Sequence, residues 1–402
     1  MSARRLLIVS IWDRMWSLDG AAGVSDDYHF VQGMTEAGWE VHFVAPKSPE
    51  PGDPFPGATT HTYPNFFRAT GALPVALKRI LWMPFFDAIA APHAIRLARE
   101  LRPDVVMGHS HYAARTASRV RSLGIPSALK LFGVMDLVHT EWPRLKYQFK
   151  NAEQISALRH PQDAWIVLDD GTRGGEILRE RGLPPEKVHF FPNGLNLEWQ
   201  DDPARGELVR QDLHIPEGAP VVLFLARLVA SKRPEDVLRA LPGVLGSQPG
   251  TVLVFAGDGE LRGRCEALAR QLGVDANVRF AGTIPHARVP QMMAASDVFV
   301  TTSSLTNMAL PTCEALICGV PVVAYDTGDT ARVVRPGETG TLVLDGDTSA
   351  LAGAVSTLLS DAALRERMSN AAKALAREQF TGWDERVGME RELLEKLASQ
   401  RT

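Results

Sequence analysis

The chain has little cysteine and almost no net charge. Cys265, Cys313 and Cys318 are its only cysteines in 402 residues, too few and too unevenly placed for a disulfide framework. No Cys-x-x-Cys or Cys/His cluster suggests structural zinc. A reducing, cytoplasmic setting fits that usage. With 43 Lys and Arg against 47 Asp and Glu, the formal charge of -4 gives no general electrostatic attraction to nucleic acid. An anionic ligand must therefore be caught by a few local cations. Long hydrophobic runs are scarce too. RRLLIVSIWDR near the start is basic, but its apolar run is too short for a secretory signal and reads better as a first strand. KRILWMPFFDAIAAP, from Lys78, is broken by Pro84 and Asp87 and falls short of a bilayer span. Lys78, Arg79, Trp82, Phe85 and Phe86 could still make a peripheral contact at the inner membrane face, although ordinary core packing explains them as well.

What is present is a repeating alternation of short apolar runs and helical segments. The length exceeds that at which one core stops growing, so two domains are expected. LLIVS, a helical stretch from about Ser25 to Ala37, Gly38 as a stop and WEVHFVAP make a strand-helix-strand unit. PDVVMGHS, IPSALKLFG, AWIVLD and VHFFPNG continue it as further strands, which argues for a parallel sheet covered on both faces. The chain turns polar from Asn196 to Pro220, and the alternation restarts with APVVLFLARL, TVLVFAGDG, NVRFAG, DVFVTTS and PVVAYD. The fold class is thus α/β, with two doubly wound domains in tandem. The expected limits are 1–195 for the first, 196–219 for a linker, 220–378 for the second and 379–402 for a C-terminal helix. That helix could pack back on the first domain or lie blandly on the surface. Ligands in such sheets sit beyond the carboxyl ends of the strands, so two facing domains would share one cleft.

The most informative stretch for chemistry is SSLTNMALPTCEALICGVPVVAYD, from Ser303 to Asp326. It reads as strand end, loop, helix and strand, with Pro311 in a first helical turn and Gly319 capping the last one. Free backbone N–H groups at such a helix start suit phosphate oxygens. Glu314 in the first turn suits a ribose diol, or equally a plain complement to the helix dipole. In ARLVASKRPED, Arg227 lies just past a strand end and Lys232 in a tight loop five positions on; both could hold a diphosphate, against a background of ordinary solvated cations. His109 and His111 in GHSH follow another strand end, where acceptor orientation or acid–base help is conceivable; for His111 a structural role comes first. Asp169 and Asp170 resemble a metal-binding pair only superficially, and Asn193 and Gly194 read as turn formers.

In order and spacing, ARLVASKRPEDVLRAL, VFAGDGELR, VRFAGTIPHARVPQMMAASDVFVTTSS and ALPTCEALICGVPVVA resemble the large family 4 of retaining GT-B glycosyltransferases, the glycosyl transferases group 1. GMTEAGWEVHFVAP, RPDVVMGHS and VHFFPNGLN extend the likeness more weakly into the first half. The resemblance implies the GT-B architecture, two Rossmann-like domains facing across a cleft. It makes Arg227 and Lys232 the donor-phosphate pair and Glu314 the ribose ligand, and it places the Met308, Ala309 and Leu310 amides near the diphosphate. It further implies that Gly257 and Gly259 let backbone approach the nucleotide, that Gly282, Thr283 and Ile284 lie beside the base, and that Gly23 lies under the diphosphate.

Three departures stand out. Thr306 replaces the earlier of two glutamates eight positions apart, with Asn307 and Ala309 where glycines are frequent; Phe132-Gly133 replaces a frequent His-Gly; Arg332 stands where a Glu is expected. Asp136, His139 or His109 could compensate for the missing sugar contact at Phe132. The expected reaction moves a sugar, with retention, from a nucleoside-diphosphate sugar to a hydroxyl of a glycan, lipid-linked or small-molecule acceptor. No cofactor or metal is expected beyond that co-substrate, and no nucleic acid. A sugar phosphorylase, a nucleotide-sugar epimerase and a nucleotide-sugar-binding protein without catalysis are the alternatives.

Overall fold

The computed structural model describes residues 3–14, 26–49, 51–65, 75–134, 137, 143–169, 173–199, 203–304 and 310–400, with backbone alone over 75–84 and 203–204. It divides into two compact units. The first holds the described residues up to Gly194 together with Trp383 onward, and the second runs from Leu195 to Gly382.

In the first unit β1 (Arg5–Val9), α1 (Asp26–Glu36), β2 (Glu40–Pro46), β3 (Thr59–Tyr63), α2 (Val75–Leu101), β4 (Val105–His109), α3 (Ala114–Arg121), β5 (Ser127–Leu131), α4 (Arg144–Lys150), α5 (Ala152–Ala157), β6 (Ala164–Leu168), α6 (Gly174–Glu180) and β7 (Val188–Phe191) follow one another. The strands pair in the order β3-β2-β1-β4-β5-β6-β7, all parallel. Burial on both faces explains why β1 is an unbroken apolar run: Leu7 and Val9 enter the core on one side of the sheet, Leu6 and Ile8 that on the other. The polar run TTHTY of β3 was not foreseen, because this edge strand is mostly half-exposed and shows no apolar signal.

Pro84 and Asp87 do not interrupt the chain as the sequence suggested; α2 passes through both. Each proline removes one backbone hydrogen bond, but Phe86, Ala90, Ala94, Leu97 and Ala98 bury one side of the helix and hold it together. Asp87 is buried and answered by Arg119 at 2.9 Å, Arg115 at 3.6 Å and the Thr116 hydroxyl at 3.1 Å. Of the five residues suggested for membrane contact, Phe86 is core and Phe85 is exposed; the other three side chains lie outside the described residues. Among the described residues no helix is long and apolar enough to cross a membrane.

The second unit contains α7 (Pro203–Asp212), β8 (Val221–Leu225), α8 (Pro234–Ser247), β9 (Val252–Ala256), α9 (Arg262–Gln271), β10 (Val278–Gly282), α10 (Val289–Ala294), β11 (Val298–Thr301), α11 (Leu310–Ile317), β12 (Val322–Tyr325), β13 (Gly340–Val343), α12 (Thr348–Ser360) and α13 (Ala362–Gln379). Its sheet order is β10-β9-β8-β11-β12-β13, again parallel. The stretch 196–219 is not a linker: α7 packs on α10, and Val209 joins the core of the second unit. The polar composition of that stretch hid one buried helical face.

The last helix, α14 (Trp383–Ser399), belongs to the first unit. It is far from bland. Leu393, Leu394 and Leu397 enter the core beside α1, and a Cβ on Gly33 would fall 2.6 Å from Val387, so glycine there allows close helix approach. Trp383 stacks on His29 at 4.0 Å. Arg386 and Glu390, both essentially without exposure, meet Asp26, Asp27 and the fully buried Lys130. Arg386 lies 3.2 Å from Asp26 and 2.9 Å from Glu390; Lys130 contacts Asp26 closely and is 3.3 Å from Glu390 and 3.8 Å from Asp27. Burial opposes ionisation of Asp26, but Lys130 and then Arg386 overcome it and keep its pKa below the usual range. Asp27 has less compensation, and burial pushes its pKa up to about 6.

Candidate functional site

In the second unit the chain runs outward from β8 through β9 to β10, then returns to lay β11 on the other side of β8. The two connections leaving β8 and β11 diverge at the carboxyl ends, which opens a crevice where doubly wound sheets bind ligands. Arg227 follows β8 and is exposed; Lys232 is half-buried in a short 3-10 turn. The Thr302 hydroxyl, after β11, donates to the carbonyls of Lys232 and Arg233 at 3.0 and 2.9 Å, and Ser304 N–H donates to Ser231 at 2.9 Å. The loop carrying Lys232 is therefore fastened to the end of β11.

Charge is distributed unevenly in this loop. Arg233 is neutralised by Asp345 and lies over the Tyr325 ring. Among the described residues, no carboxylate pairs with Arg227 or Lys232. Burial and then the charge of Arg227 lower the Lys232 pKa, so its ammonium gains from any anion brought beside it.

The glycines after β9 have a tighter duty than the resemblance implied. Gly257 sits at φ +133°, where a Cβ would meet the Ala226 carbonyl oxygen at 2.0 Å; at Gly259 it would meet that of Leu228 at 2.4 Å. What approaches these glycines is the backbone leaving β8. Gly257 N–H also donates to the Gly282 carbonyl at 2.7 Å, and Leu228 N–H to that of Asp258 at 3.0 Å, which ties the ends of β8, β9 and β10 together. Gly257→Ala should cost about 2 kcal/mol of stability through forced backbone displacement. It should also weaken anion binding at Arg227; unfolding midpoints equal to those of the parent would contradict this packing role.

Gly282, at φ +69°, turns the chain into Thr283, exposed, and Ile284, half-buried against the core. His286 follows in a 3-10 turn and places Nε2 2.7 Å from Oε1 of Glu314 on α11. Glu314 is only 5% exposed. Sequence alone did not single out His286, because a lone histidine in a polar turn carries no periodic signal. Trp199, from the supposed linker, packs its ring 4.8 Å from that of His286. The site thus gathers Arg227, Lys232, Gly257, Gly259, Gly282, Ile284 and Glu314 around neighbouring strand ends, with Leu310 opening α11. Gly23, Thr306, Asn307, Met308, Ala309, Asp136 and His139 lie outside the described residues.

The first unit reverses direction in the same way between β1 and β4. There Trp12 meets Phe132 edge-on at 5.0 Å, and Gly133 follows at φ +109°. His109 corrects an expectation. It is wholly buried between Phe43, Phe132 and Trp12, its Nδ1 is 3.7 Å from the Asp27 carboxylate, and among the described residues neither ring nitrogen has a hydrogen-bond partner. Burial, helped by the Lys130 charge, lowers its pKa to about 3 and keeps it neutral, so it is part of the wall and offers no surface to an acceptor. His111 is half-buried with its ring 4.2 Å from that of Tyr112. Asp169 is buried, and its carbonyl accepts from Asn193 Nδ2 at 2.7 Å; Asp170 is outside the described residues. Among the described residues no group of three or more His, Cys, Asp or Glu could hold a metal ion.

Two parallel sheets of this order, the second with Arg227 and Lys232 following its central strand, define a doubly wound α/β protein. The family described as glycosyl transferases group 1 matches residues 207–375, and the glycosyl transferase 4-like domain matches residues 28–194. The chain belongs to the group 1, family 4 glycosyltransferases. Among curated relatives it is similar to an alpha-D-kanosaminyltransferase of Streptomyces kanamyceticus, 29% identical over 57% of this chain and 60% of that protein. A D-inositol 3-phosphate glycosyltransferase of Acidothermus cellulolyticus is 31% identical over 59% of this chain and 54% of its own length. The matched part thus spans little more than half of those relatives. Among solved structures, Anabaena HepE in complex with UDP and glucose shares the fold at a TM-score of 0.71 and 18% identity, covering 98% of this chain and 99% of that one.

Proposed function

We propose that the chain transfers a sugar from a nucleoside-diphosphate sugar to an acceptor hydroxyl, with retention at the anomeric carbon. The observation that carries the proposal is the pair of cations, Arg227 and Lys232, left without a carboxylate among the described residues at the switch point of the second sheet. Breaking the glycosidic bond puts negative charge on the departing diphosphate while the sugar becomes oxocarbenium-like. A bidentate guanidinium and a partly desolvated ammonium stabilise that charge more as it develops, which lowers the barrier. The α11 amides, beginning at Leu310, add the positive end of a helix dipole. Glu314 takes the ribose diol, and the segment 282–284 lies beside the base.

In this proposal the leaving diphosphate itself accepts the proton of the incoming hydroxyl, on the face the leaving group occupied. The acceptor is a glycan, a lipid-linked sugar or a small molecule. A panel of uridine, guanosine, adenosine and thymidine diphosphate sugars, incubated with acceptor mixtures, should release nucleoside diphosphate only when an acceptor is present. The product should keep the donor's anomeric configuration by NMR. Release with inorganic phosphate alone, or isomerised donor without acceptor, would replace this proposal with a phosphorylase or an epimerase.

A further inference from the structure

The carboxylate assigned to the ribose is itself held by a second residue. Glu314 is buried on α11 one turn in from Leu310, past the first turn in which the sequence suggested it, and among the described residues the Nε2 of His286, at 2.7 Å, is the only side-chain group hydrogen-bonded to it. A carboxylate can accept about four hydrogen bonds, so one donor on Oε1 leaves most of its capacity unused. The imidazole is in turn braced on one side: Trp199, itself packed against the core of the second unit, lies against the ring at 4.8 Å and 44°. Side-chain exposure is 12% for His286 and 7% for Glu314, so the contact is shielded from competing water.

We propose that His286, braced by Trp199, is a positioning residue that fixes the Glu314 carboxylate so that its remaining lone pairs meet the two hydroxyls of a ribose. This rests on the nucleotide-sugar assignment above and deepens it: the site selects ribonucleotides over deoxyribonucleotides, and the selection depends on a residue that does not touch the ligand. A carboxylate free to rotate would meet one hydroxyl at a time. Fixing it in advance removes that ordering cost from binding.

The test compares UDP, GDP and ADP with their 2'-deoxy counterparts by calorimetric titration, with inorganic pyrophosphate as a probe of the phosphate subsite alone. His286→Phe keeps a ring against Trp199 but has no donor; His286→Gln keeps a donor. The parent should prefer ribose by about tenfold, the size of one hydrogen bond to a charged group. Glu314→Gln and His286→Phe should each lose most of that preference with pyrophosphate affinity unchanged, and His286→Gln should recover much of it. If His286→Phe keeps the parent's ratio, or binds ribonucleotides more tightly because the histidine was competing for Oε1, the positioning role is overturned. If the parent binds none of the three nucleotides, or Glu314→Gln leaves the ratio intact, the fault lies with the donor-site assignment itself.

Discussion

Replacing Lys130 with methionine is expected to destabilise the first unit by about 3–5 kcal/mol, the usual cost of removing one partner from a buried ionic group. Lys130 occupies a strand position that would ordinarily be apolar, and it is fully buried. Its ammonium faces Asp26 from α1 and Glu390 from α14, with Asp27 at 3.8 Å. Without it Arg386 is left to oppose Asp26 and Glu390 among the described residues, and burial already pushes the Asp27 pKa up to about 6. Since a domain's whole stability is about 5–15 kcal/mol, the variant should unfold at much lower urea concentrations. Of the described tryptophans, Trp12, Trp39, Trp165 and Trp383 lie in the first unit and Trp199 in the second, so tryptophan fluorescence follows chiefly the unfolding of the first. Arg227 and Lys232, the proposed phosphate contacts, belong to the second unit, and pyrophosphate binding by the variant should persist below its unfolding transition. Adding Glu390→Gln should recover part of the loss, because it removes one uncompensated charge. An unchanged midpoint in Lys130→Met would mean that the network is not what joins α14 to α1 and β5.

The second large effect concerns the donor. Arg227→Ala and Lys232→Ala should each weaken nucleoside-diphosphate binding by roughly 10- to 100-fold, as expected for one charge-assisted phosphate contact. Each should lower turnover by roughly 100-fold or more, because the contacts strengthen as charge builds on the leaving group. Arg233→Ala is the internal comparison. That cation is already neutralised by Asp345, so its loss should leave nucleotide binding nearly unchanged. Burial, followed by the Arg227 charge, holds the Lys232 pKa below that of an ordinary lysine. As pH rises its charge, and with it diphosphate affinity, should be lost earlier than for an exposed lysine; a bound anion should delay that loss.

Much of this arrangement is legible in the amino-acid sequence, and what is not legible has physical causes. Strands buried on both faces, such as Leu6–Val9 and Val221–Phe224, announce themselves as apolar runs. The edge strand Thr59–Tyr63 and the short β13 do not, since pairing at a rim needs little apolar area. Arg227, Lys232 and Glu314 are legible as candidates because they follow a strand or lie near the start of a helix. His286 and Trp199 were not, because their roles arise from a contact between segments 87 residues apart in sequence. The glycines of the GDGE turn read as a common turn or, by resemblance, as a place of ligand approach, and the closeness of the Ala226 and Leu228 carbonyls was not legible in either reading. Lys130 was hidden because a single charge inside SALKL gives no sign that its counter-ions come from two distant helices.

The central claim is that Arg227 and Lys232 are uncompensated because a nucleoside diphosphate completes them. Calorimetric titration of UDP, GDP, ADP and TDP into the parent and into the Arg227→Ala/Lys232→Ala variant tests this directly. The account predicts that at least one nucleotide binds the parent and binds the double variant at least ~100-fold more weakly. Equal affinity for both proteins, or no binding to the parent, would contradict it.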